Sequence, residues 1–198
     1  LILQRAAQGR VALLVPGDPL MATTHIDLRI RAEKRGINTS IIHGASIISA
    51  VIGLSGLQNY KFGRSVTIPF PNGQHVSETP YEVISENKSR DLHTLCFLDI
   101  KAEEKRFMTI NESLKILSLL ESKRREGAVS PKSLAVGVAR AGSEDVVVKA
   151  GYVRDLINYN FGGPPHSLVI PADRLHFMEA EALISLADAP EEVREMAK

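Results

Sequence analysis

The chain has one cysteine, no tryptophan and few aromatic residues, which make up 5% of its 198 positions. A single thiol excludes an internal disulfide framework and favours a reducing compartment. Its 24 basic and 23 acidic residues leave a net charge of +1, so nothing attracts the whole chain to nucleic acid or a membrane surface. No apolar run reaches transmembrane length. We therefore predict a cytoplasmic protein without nucleic-acid or membrane partners.

Several common catalytic signatures are also absent. The sequence contains no Gly-x-Gly-x-x-Gly after a strand, no phosphate-binding loop ending in Gly-Lys-Ser/Thr, and no Gly-x-Ser-x-Gly nucleophile elbow. The six histidines show no metal-ligand spacing with one another or with Cys96, so we predict no metal site. The apolar setting of Cys96 predicts a buried, inert thiol.

The most informative feature present is an apolar run, residues 11–15, that stops abruptly at Pro16-Gly-Asp-Pro19. The run has the length and composition of a buried strand. The break places the Asp18 carboxylate at the strand's carboxyl end, which is where open α/β sheets bind their ligands. Asp between prolines is also a common turn former, and both interpretations of Asp18 stay open.

Strand and helix signals alternate along the first part of the chain. Strands over 11–15 and 37–43, each followed by a helix, over 22–35 and 47–57, predict a parallel sheet. Beyond residue 58 the pattern is mixed, with strands predicted over 65–70, 93–99, 134–140, 146–149 and 167–170, and helices over 81–90, 111–126, 176–187 and 190–197. We predict an α/β protein with domains 1–57 and 58–198.

The chain begins with what reads as the end of a helix, residues 1–9, with Gly9 as its terminator. An α/β unit normally has a strand feeding such a helix. The pattern favours a chain that lacks the amino-terminal part of its first domain over one that starts with a short capping helix.

Four further positions are candidates for ligand contact, and each has a structural alternative. Ser46 follows a predicted strand and either simply caps the next helix or, with Ile47, meets a polar ligand. Leu98 ends another predicted strand, where it either belongs to the core or packs against a flat heterocycle. Ala141 forms a tight turn or admits a close ligand. His166, after two prolines, is a satisfied loop histidine or a ligand contact.

The quoted segments resemble a known family. The loop Pro16-Gly-Asp-Pro-Leu-Met-Ala-Thr-Thr-His25 is similar to the Gly-Asp-Pro loop of the tetrapyrrole-methylase-like, S-adenosylmethionine-dependent methyltransferases. Further blocks resemble the archaeal diphthine synthase family within that group; they are His43-Gly-Ala-Ser-Ile-Ile-Ser-Ala50, Tyr60-Lys-Phe-Gly63, Leu92–Glu103, Ala139-Arg-Ala-Gly-Ser143, Ala150-Gly-Tyr-Val153 and Phe161-Gly-Gly-Pro-Pro-His166. The resemblance covers essentially the whole chain.

The resemblance implies a two-domain fold, with a mostly parallel sheet in the first domain, a mixed sheet in the second and a cleft between them. It implies methylation of the amino group of a modified histidine on translation elongation factor 2, in diphthamide synthesis, by a homodimer. S-adenosylmethionine would be the donor and S-adenosylhomocysteine the product. Donor contacts carry over to Asp18, Met21, Ser46, Ile47, Leu98, Ala141 and His166.

Two departures from the family pattern concern this site. Met21 stands where relatives usually have Val or Leu, which preserves an apolar, flexible contact. Gly44-Ala45 stands where Ala-Pro is commoner, which is expected to loosen the loop without abolishing binding. No general base can be named. The alternatives are a related methylase acting on a tetrapyrrole ring and a non-enzymatic module that binds translation factors; a nucleotide-binding protein is disfavoured by the missing phosphate loop.

Overall fold

The computed structural model describes residues 1–197. Contacts between residues divide the chain into two compact units, Leu1–Ala50 and Val51–Lys198, and the division falls inside one helix. The predicted domains, residues 1–57 and 58–198, stay a prediction. None of the described helices is both long and apolar enough to span a bilayer.

Three helices come first along the chain, and strands and helices are mixed beyond them. The helices are α1 (Ile2–Ala6), α2 (Ile26–Glu33), α3 (Ile47–Ser55), α4 (Thr79–Ser89), α5 (Ile110–Arg124), α6 (Val153–Leu156) and α7 (Phe177–Ala187). The strands are β1 (Val66–Ile68), β2 (Thr94–Leu98), β3 (Ile100–Lys101), β4 (Arg106–Phe107), β5 (Leu134–Ala139), β6 (Val147–Tyr152) and β7 (His166–Ile170). Short 3-10 helices cover Asn59–Lys61, Ala102–Glu104 and Glu191–Met196.

The first unit is helical where it is regular. The predicted helix over 22–35 begins later, at Ile26, because Ala22 adopts a left-handed conformation with φ 53° that no α-helix contains. Gly36 follows the helix with φ 69°, so its predicted role as helix terminator is confirmed. α3 begins directly after Ser46, whose hydroxyl accepts a hydrogen bond from the Ile48 N–H at 3.2 Å.

The two strands predicted in this unit, over 11–15 and 37–43, are not formed, and that part of the prediction is wrong for the structure described. Both segments lack regular secondary structure, and Leu14 and Ile42 are about nine-tenths exposed. Parallel strands are normally buried on both faces, and a stable sheet needs at least three strands. The described residues of this unit offer only two short apolar segments, so no ladder assembles.

The second unit is built on a five-stranded sheet in the order β1-β2-β7-β5-β6. β1 pairs with β2 in parallel through the α4 crossover, and the other pairs are antiparallel. The predicted mixed sheet of the α/β class is therefore confirmed. The strands predicted over 65–70 and 93–99 are shorter than expected, whereas β6 is longer than 146–149.

Helix α5 covers one face of this sheet with the predicted apolar stripe. Leu114, Leu117 and Leu120 are all buried in a cluster that includes Cys96 of β2. Burial raises the pKa of the Cys96 thiol to about 12, which confirms an inert side chain. Thr109 begins the helix with a capping box that exchanges hydrogen bonds with Glu112.

A small ribbon in this unit was not predicted from the sequence. Residues 102–105 connect the two strands of a small antiparallel ribbon, β3 and β4, which the strand prediction did not include. All four residues of the ribbon are exposed. Each strand has two residues, which is too short for an alternation of apolar and polar side chains to be recognised.

A buried carboxylate joins the start of β2 to the start of α7. Glu179 is fully buried, and its oxygens accept hydrogen bonds from the Gln58 N–H (2.7 Å), the His176 N–H (2.8 Å) and His93 Nε2 (2.9 Å). His93 Nδ1 in turn accepts from the Ala172 N–H at 2.9 Å. Burial alone would raise the pKa of Glu179, but these hydrogen bonds outweigh it and lower the pKa to about 2.

We expect Glu179→Gln to destabilise the protein at neutral pH and to weaken its acid sensitivity. A carboxyl whose pKa falls from its usual 4.5 to about 2 on folding contributes roughly 3 kcal/mol above pH 4.5 and loses it as the pH falls towards 2. Urea unfolding at a series of pH values should therefore show a deficit of roughly 3 kcal/mol at pH 7 that shrinks in acid.

Glu181→Gln is the matched control on the same helix. Glu181 pairs with Arg194 at the surface, and an exposed ion pair of this kind contributes about 0–1 kcal/mol. Equal stability losses in the two variants, or a pH-independent loss in Glu179→Gln, would contradict this account.

Candidate functional site

The Asp18 carboxylate closes its own loop and joins it to a second loop. Oδ1 accepts a hydrogen bond from the Leu20 N–H at 2.9 Å, and Oδ2 lies 2.8 Å from His43 Nδ1. The Leu20 N–H and the His43 ring together lower the pKa of Asp18, so the group is ionised at neutral pH. Asp18 is thus a turn former, and each oxygen keeps a lone pair that a ligand can use.

The two loops touch through their backbones as well. A Cβ placed on Gly44 would lie 2.6 Å from the Gly17 carbonyl oxygen, closer than real Cβ contacts come. Gly17 itself has φ 90°, a conformation that favours glycine. Gly44, expected to loosen its loop, instead permits this close approach.

Ser46, Ile47 and Met21 belong to the same pair of loops. Ser46 caps α3, as its structural interpretation predicted, and Ile47 is the first residue of that helix. Ile47 and Met21 are 41% and 48% exposed, which leaves both side chains available to an apolar ligand surface. The four residues predicted in the first unit therefore lie on two loops in contact.

The three residues predicted in the second unit come together at one edge of its sheet. β7 runs antiparallel between β2 and β5, pairing Phe97 with Ser167 and Ala139 with His166. The carboxyl ends of β2 and β5 therefore flank the first residue of β7. Leu98, His166 and the turn that holds Ala141 are neighbours because of this register.

Leu98 and Ala141 contribute small amounts of surface at this edge. Leu98 is 8% exposed and belongs to the hydrophobic cluster of the second unit. Ala141 is half-buried in a tight turn in which the Ser143 N–H donates to the Arg140 carbonyl, and Gly142 has φ 89°. The structural interpretation of each residue is correct, and both remain accessible in part.

Both ring nitrogens of His166 are used within the protein. Nδ1 accepts from the Ile110 N–H at 3.2 Å, and Nε2 lies 3.0 Å from the Gly163 carbonyl, so the hydrogen-bond pattern assigns the proton to Nε2. Burial lowers the pKa of His166 and keeps the ring neutral. The side chain therefore fixes the start of α5 and the preceding loop.

Arg140 holds the two loops of this edge together, and the sequence analysis did not single it out. Nη1 donates to the Phe161 carbonyl at 2.9 Å and the Gly163 carbonyl at 2.6 Å, while Nη2 donates to the Asp145 carbonyl at 2.9 Å. A Cβ on Gly162 would lie 2.9 Å from Nη1, so glycine is needed there. The guanidinium thus joins the loop of Ala141 to the loop of His166.

One surface depression lies elsewhere on the second unit. It has a volume of about 270 Å³ and is lined by Tyr60, Lys61, Asp91, Arg174, Leu175 and His176. These residues surround the start of β2, the opposite end of the strand from Leu98. None of the predicted contact residues lines it. Among residues 1–197 no three His, Cys, Asp or Glu side chains are grouped as metal ligands would be.

Comparison with known proteins decides the family. The family model for tetrapyrrole (corrin/porphyrin) methylases matches residues 1–157. The chain belongs to this methylase family. The resemblance based on the Gly-Asp-Pro loop is confirmed.

Relatives of this methylase narrow the assignment. It is 56% identical to a diphthine synthase of Methanosarcina mazei in an alignment that covers 98% of the chain and 73% of the relative. It is 54% identical to a diphthine synthase of Methanocella arvoryzae over 94% of the chain and 71% of the relative. A crystal structure of diphthine synthase superimposes with a TM-score of 0.87 at 44% identity, covering 98% of this chain and 72% of that one.

These matches confirm the predicted activity class. The methylase is an S-adenosylmethionine-dependent methyltransferase of the diphthine synthase type, and its α/β fold, with a mixed sheet in the second unit, matches that of the tetrapyrrole-methylase-like proteins. His43 and Arg140, which contact predicted residues, could have been identified from the sequence. Each is a polar residue at the end of a predicted strand.

We expect Arg140→Met to loosen both loops without unfolding the methylase. The substitution removes charge-assisted hydrogen bonds to three carbonyls, each typically contributing about 1.5–3 kcal/mol. Hydrogen–deuterium exchange should rise about tenfold or more at amides 141–145 and 161–166, because local opening becomes less costly.

Arg125→Met provides the control. Arg125 also adopts a left-handed conformation, φ 57° against 53° for Arg140, so the two substitutions share any backbone effect. Its guanidinium makes only one long contact, 3.5 Å to the Ser122 carbonyl. Unchanged exchange at these amides in Arg140→Met would show that the arginine does not hold the loops.

Proposed function

We propose that this methylase transfers the methyl group of S-adenosylmethionine to the amino group of a modified histidine on translation elongation factor 2. The observation that carries the proposal is the 56% identity to a diphthine synthase across 98% of the chain. The loops that hold the predicted contacts support it, because each group of predicted residues comes together within its own unit.

The donor is proposed to contact both groups of residues. Asp18 and the helix start at Ser46 offer a carboxylate and backbone N–H groups to its polar parts, and Met21 and Ile47 offer exposed apolar surface. In the second unit Leu98 and Ala141 offer a small apolar surface beside the backbone of His166. This combination suits a ligand with a charged amino-acid end and an apolar heterocycle.

The donor's sulfonium supplies the reactivity when bound, so the protein's contribution is alignment and exclusion of water. His166 and Arg140 keep the edge of the sheet in one arrangement through contacts with backbone carbonyls. Asp18 holds its loop against the loop of Gly44. Preorganised loops reduce the entropy lost when donor and acceptor are brought into line.

The wider setting is also part of the proposal. We propose a homodimer in the cytoplasm, with S-adenosylhomocysteine as the released product and no nucleic-acid or membrane partner. The near-neutral net charge of +1 supports the absence of a general attraction to polyanions. Light scattering coupled to gel filtration would measure the mass of the assembly.

Asp18→Ala is expected to weaken S-adenosylmethionine binding about tenfold or more, and His166→Ala by a comparable factor. Asp18→Ala removes a direct contact and the hydrogen bond from the Leu20 N–H. His166→Ala removes the hydrogen bond from the Ile110 N–H and so loosens the backbone beside the ligand. A tenfold loss corresponds to about 1.4 kcal/mol of binding free energy. Calorimetric titration measures it, and circular dichroism confirms that both variants fold.

Asp27→Ala is the control for the aspartate. Asp27 is exposed in the same unit and pairs with Arg31 at 3.4 Å, so its removal should leave donor affinity unchanged. Wild-type affinity in Asp18→Ala and His166→Ala would overturn the assignment of these two residues.

The acceptor is tested separately with labelled donor. We expect label to enter elongation factor 2 that carries the modified histidine and not to enter a precorrin, because the relatives over nearly the whole chain are diphthine synthases. The family model's tetrapyrrole methylases make the precorrin the appropriate rival substrate. Labelling of the precorrin alone would replace this acceptor. Binding of the factor by a protein that does not bind the donor would favour a non-enzymatic module.

A further inference from the structure

The pair formed by Asp18 and His43 has the geometry of an oriented base. His43 Nδ1 lies 2.8 Å from Asp18 Oδ2, and the two side chains differ sharply in exposure, 7% for Asp18 and 72% for His43. Among residues 1–197 no protein group lies within hydrogen-bonding distance of His43 Nε2. A carboxylate on Nδ1 fixes the tautomer that leaves Nε2 with a free lone pair.

The carboxylate half of the pair is held firmly. Its other oxygen accepts from the Leu20 N–H at 2.9 Å, and the backbones of Gly17 and Gly44 touch directly beside it. His43 immediately precedes Gly44, so the same backbone contact limits where the imidazole can go. Orientation of this kind is what distinguishes a general base from an exposed histidine.

The position of the pair is the second argument. Asp18 and His43 lie on the two loops that also hold Met21, Ser46 and Ile47, the donor contacts proposed for the first unit. The other histidine of these loops, His25, directs Nδ1 at the Pro19 carbonyl, 3.0 Å away, and is part-buried there. It is therefore occupied in holding the turn.

The proposed reaction needs a proton acceptor. An alkyl amine is largely protonated near neutral pH, and its lone pair must be free before it can attack a methyl group. In the transfer the nitrogen–carbon bond forms as the carbon–sulfur bond breaks, and the bonding pair leaves with the sulfur as a neutral thioether. The proton released from the acceptor ammonium must go to a base.

We propose that His43 is the general base of this methyltransferase and that Asp18 positions it. His43 Nε2 takes one proton from the acceptor ammonium, the amine then attacks, and the imidazolium is stabilised by the ionised Asp18 carboxylate until it returns the proton to water. This role rests on the proposed function, because it requires an amine acceptor. It adds a catalytic role for His43 and a second role for Asp18.

His43→Asn separates this role from a merely structural one. An asparagine amide can donate to Asp18 Oδ2 as Nδ1–H does, so the two loops remain joined, but it cannot take up a proton. Single-turnover methylation of elongation factor 2 that carries the modified histidine, from about pH 5.5 to about pH 9, measures the rate. Calorimetric titration with S-adenosylmethionine measures donor affinity independently of turnover.

In the wild type we expect the rate to rise with pH and then level off, because a general base must be unprotonated to act. In His43→Asn we expect the rate at neutral pH to fall by a factor of about a hundred or more, which is the size of a general-base contribution. The plateau should be lost, with the rate rising across the whole range as the amine itself deprotonates. Donor affinity should stay within about twofold.

His25→Asn is the matched control, since it changes a histidine of the same loops that bonds only to a carbonyl. Its rate and pH profile should equal those of the wild type. A wild-type pH profile in His43→Asn would overturn the general-base role, whereas failure of the wild-type protein to bind the donor would overturn the proposed function. Loss of donor binding in His43→Asn would assign His43 to binding instead of proton transfer.

Discussion

The antiparallel insertion of β7 between β2 and β5 is the constraint on which the second unit depends. One strand pairs with both neighbours, so the register on each side determines what lies at each end of the sheet. The carboxyl ends of β2 and β5 are placed beside the first residue of β7. A shift of one residue in either ladder would turn His166 to the other face and separate it from the start of α5.

Polar side chains reinforce each end of this arrangement in different ways. At the end near Leu98, Arg140 and His166 satisfy loop carbonyls that have no strand to bond to. At the other end Glu179 collects two backbone N–H groups and the imidazole of His93 in a site without water access. Buried polar groups of this kind stabilise a fold only when each is fully satisfied, and both sets are.

Much of the second unit could be predicted from the sequence because its signals are local. Leu114, Leu117 and Leu120 recur at helical spacing, and Cys96 lies in an apolar run flanked by polar residues. The first unit shows the limit of such reasoning. Residues 11–15 have strand composition, but a strand exists only with partners, and local composition does not report whether partners are present.

The sequence predicted which residues are candidates for the site, but it did not predict the hydrogen bonds that their side chains make. Strand ends identified Asp18 and Leu98, and two preceding prolines identified His166. The ring nitrogens of His166 form hydrogen bonds with the protein's own backbone. The partners His43 and Arg140 were missed because each acts on residues distant in sequence. Only the folded chain shows that His43 Nδ1 lies 2.8 Å from Asp18 Oδ2.

The contact between Gly17 and Gly44 has a consequence for sequence change. Because a methyl group at position 44 would meet the carbonyl of residue 17, neither loop can drift in sequence independently of the other. A side chain at 44 becomes acceptable only with a different backbone path at 17, so the two sites are epistatic. Anyone redesigning this methylase should therefore treat the two loops as one inherited unit and exchange them together.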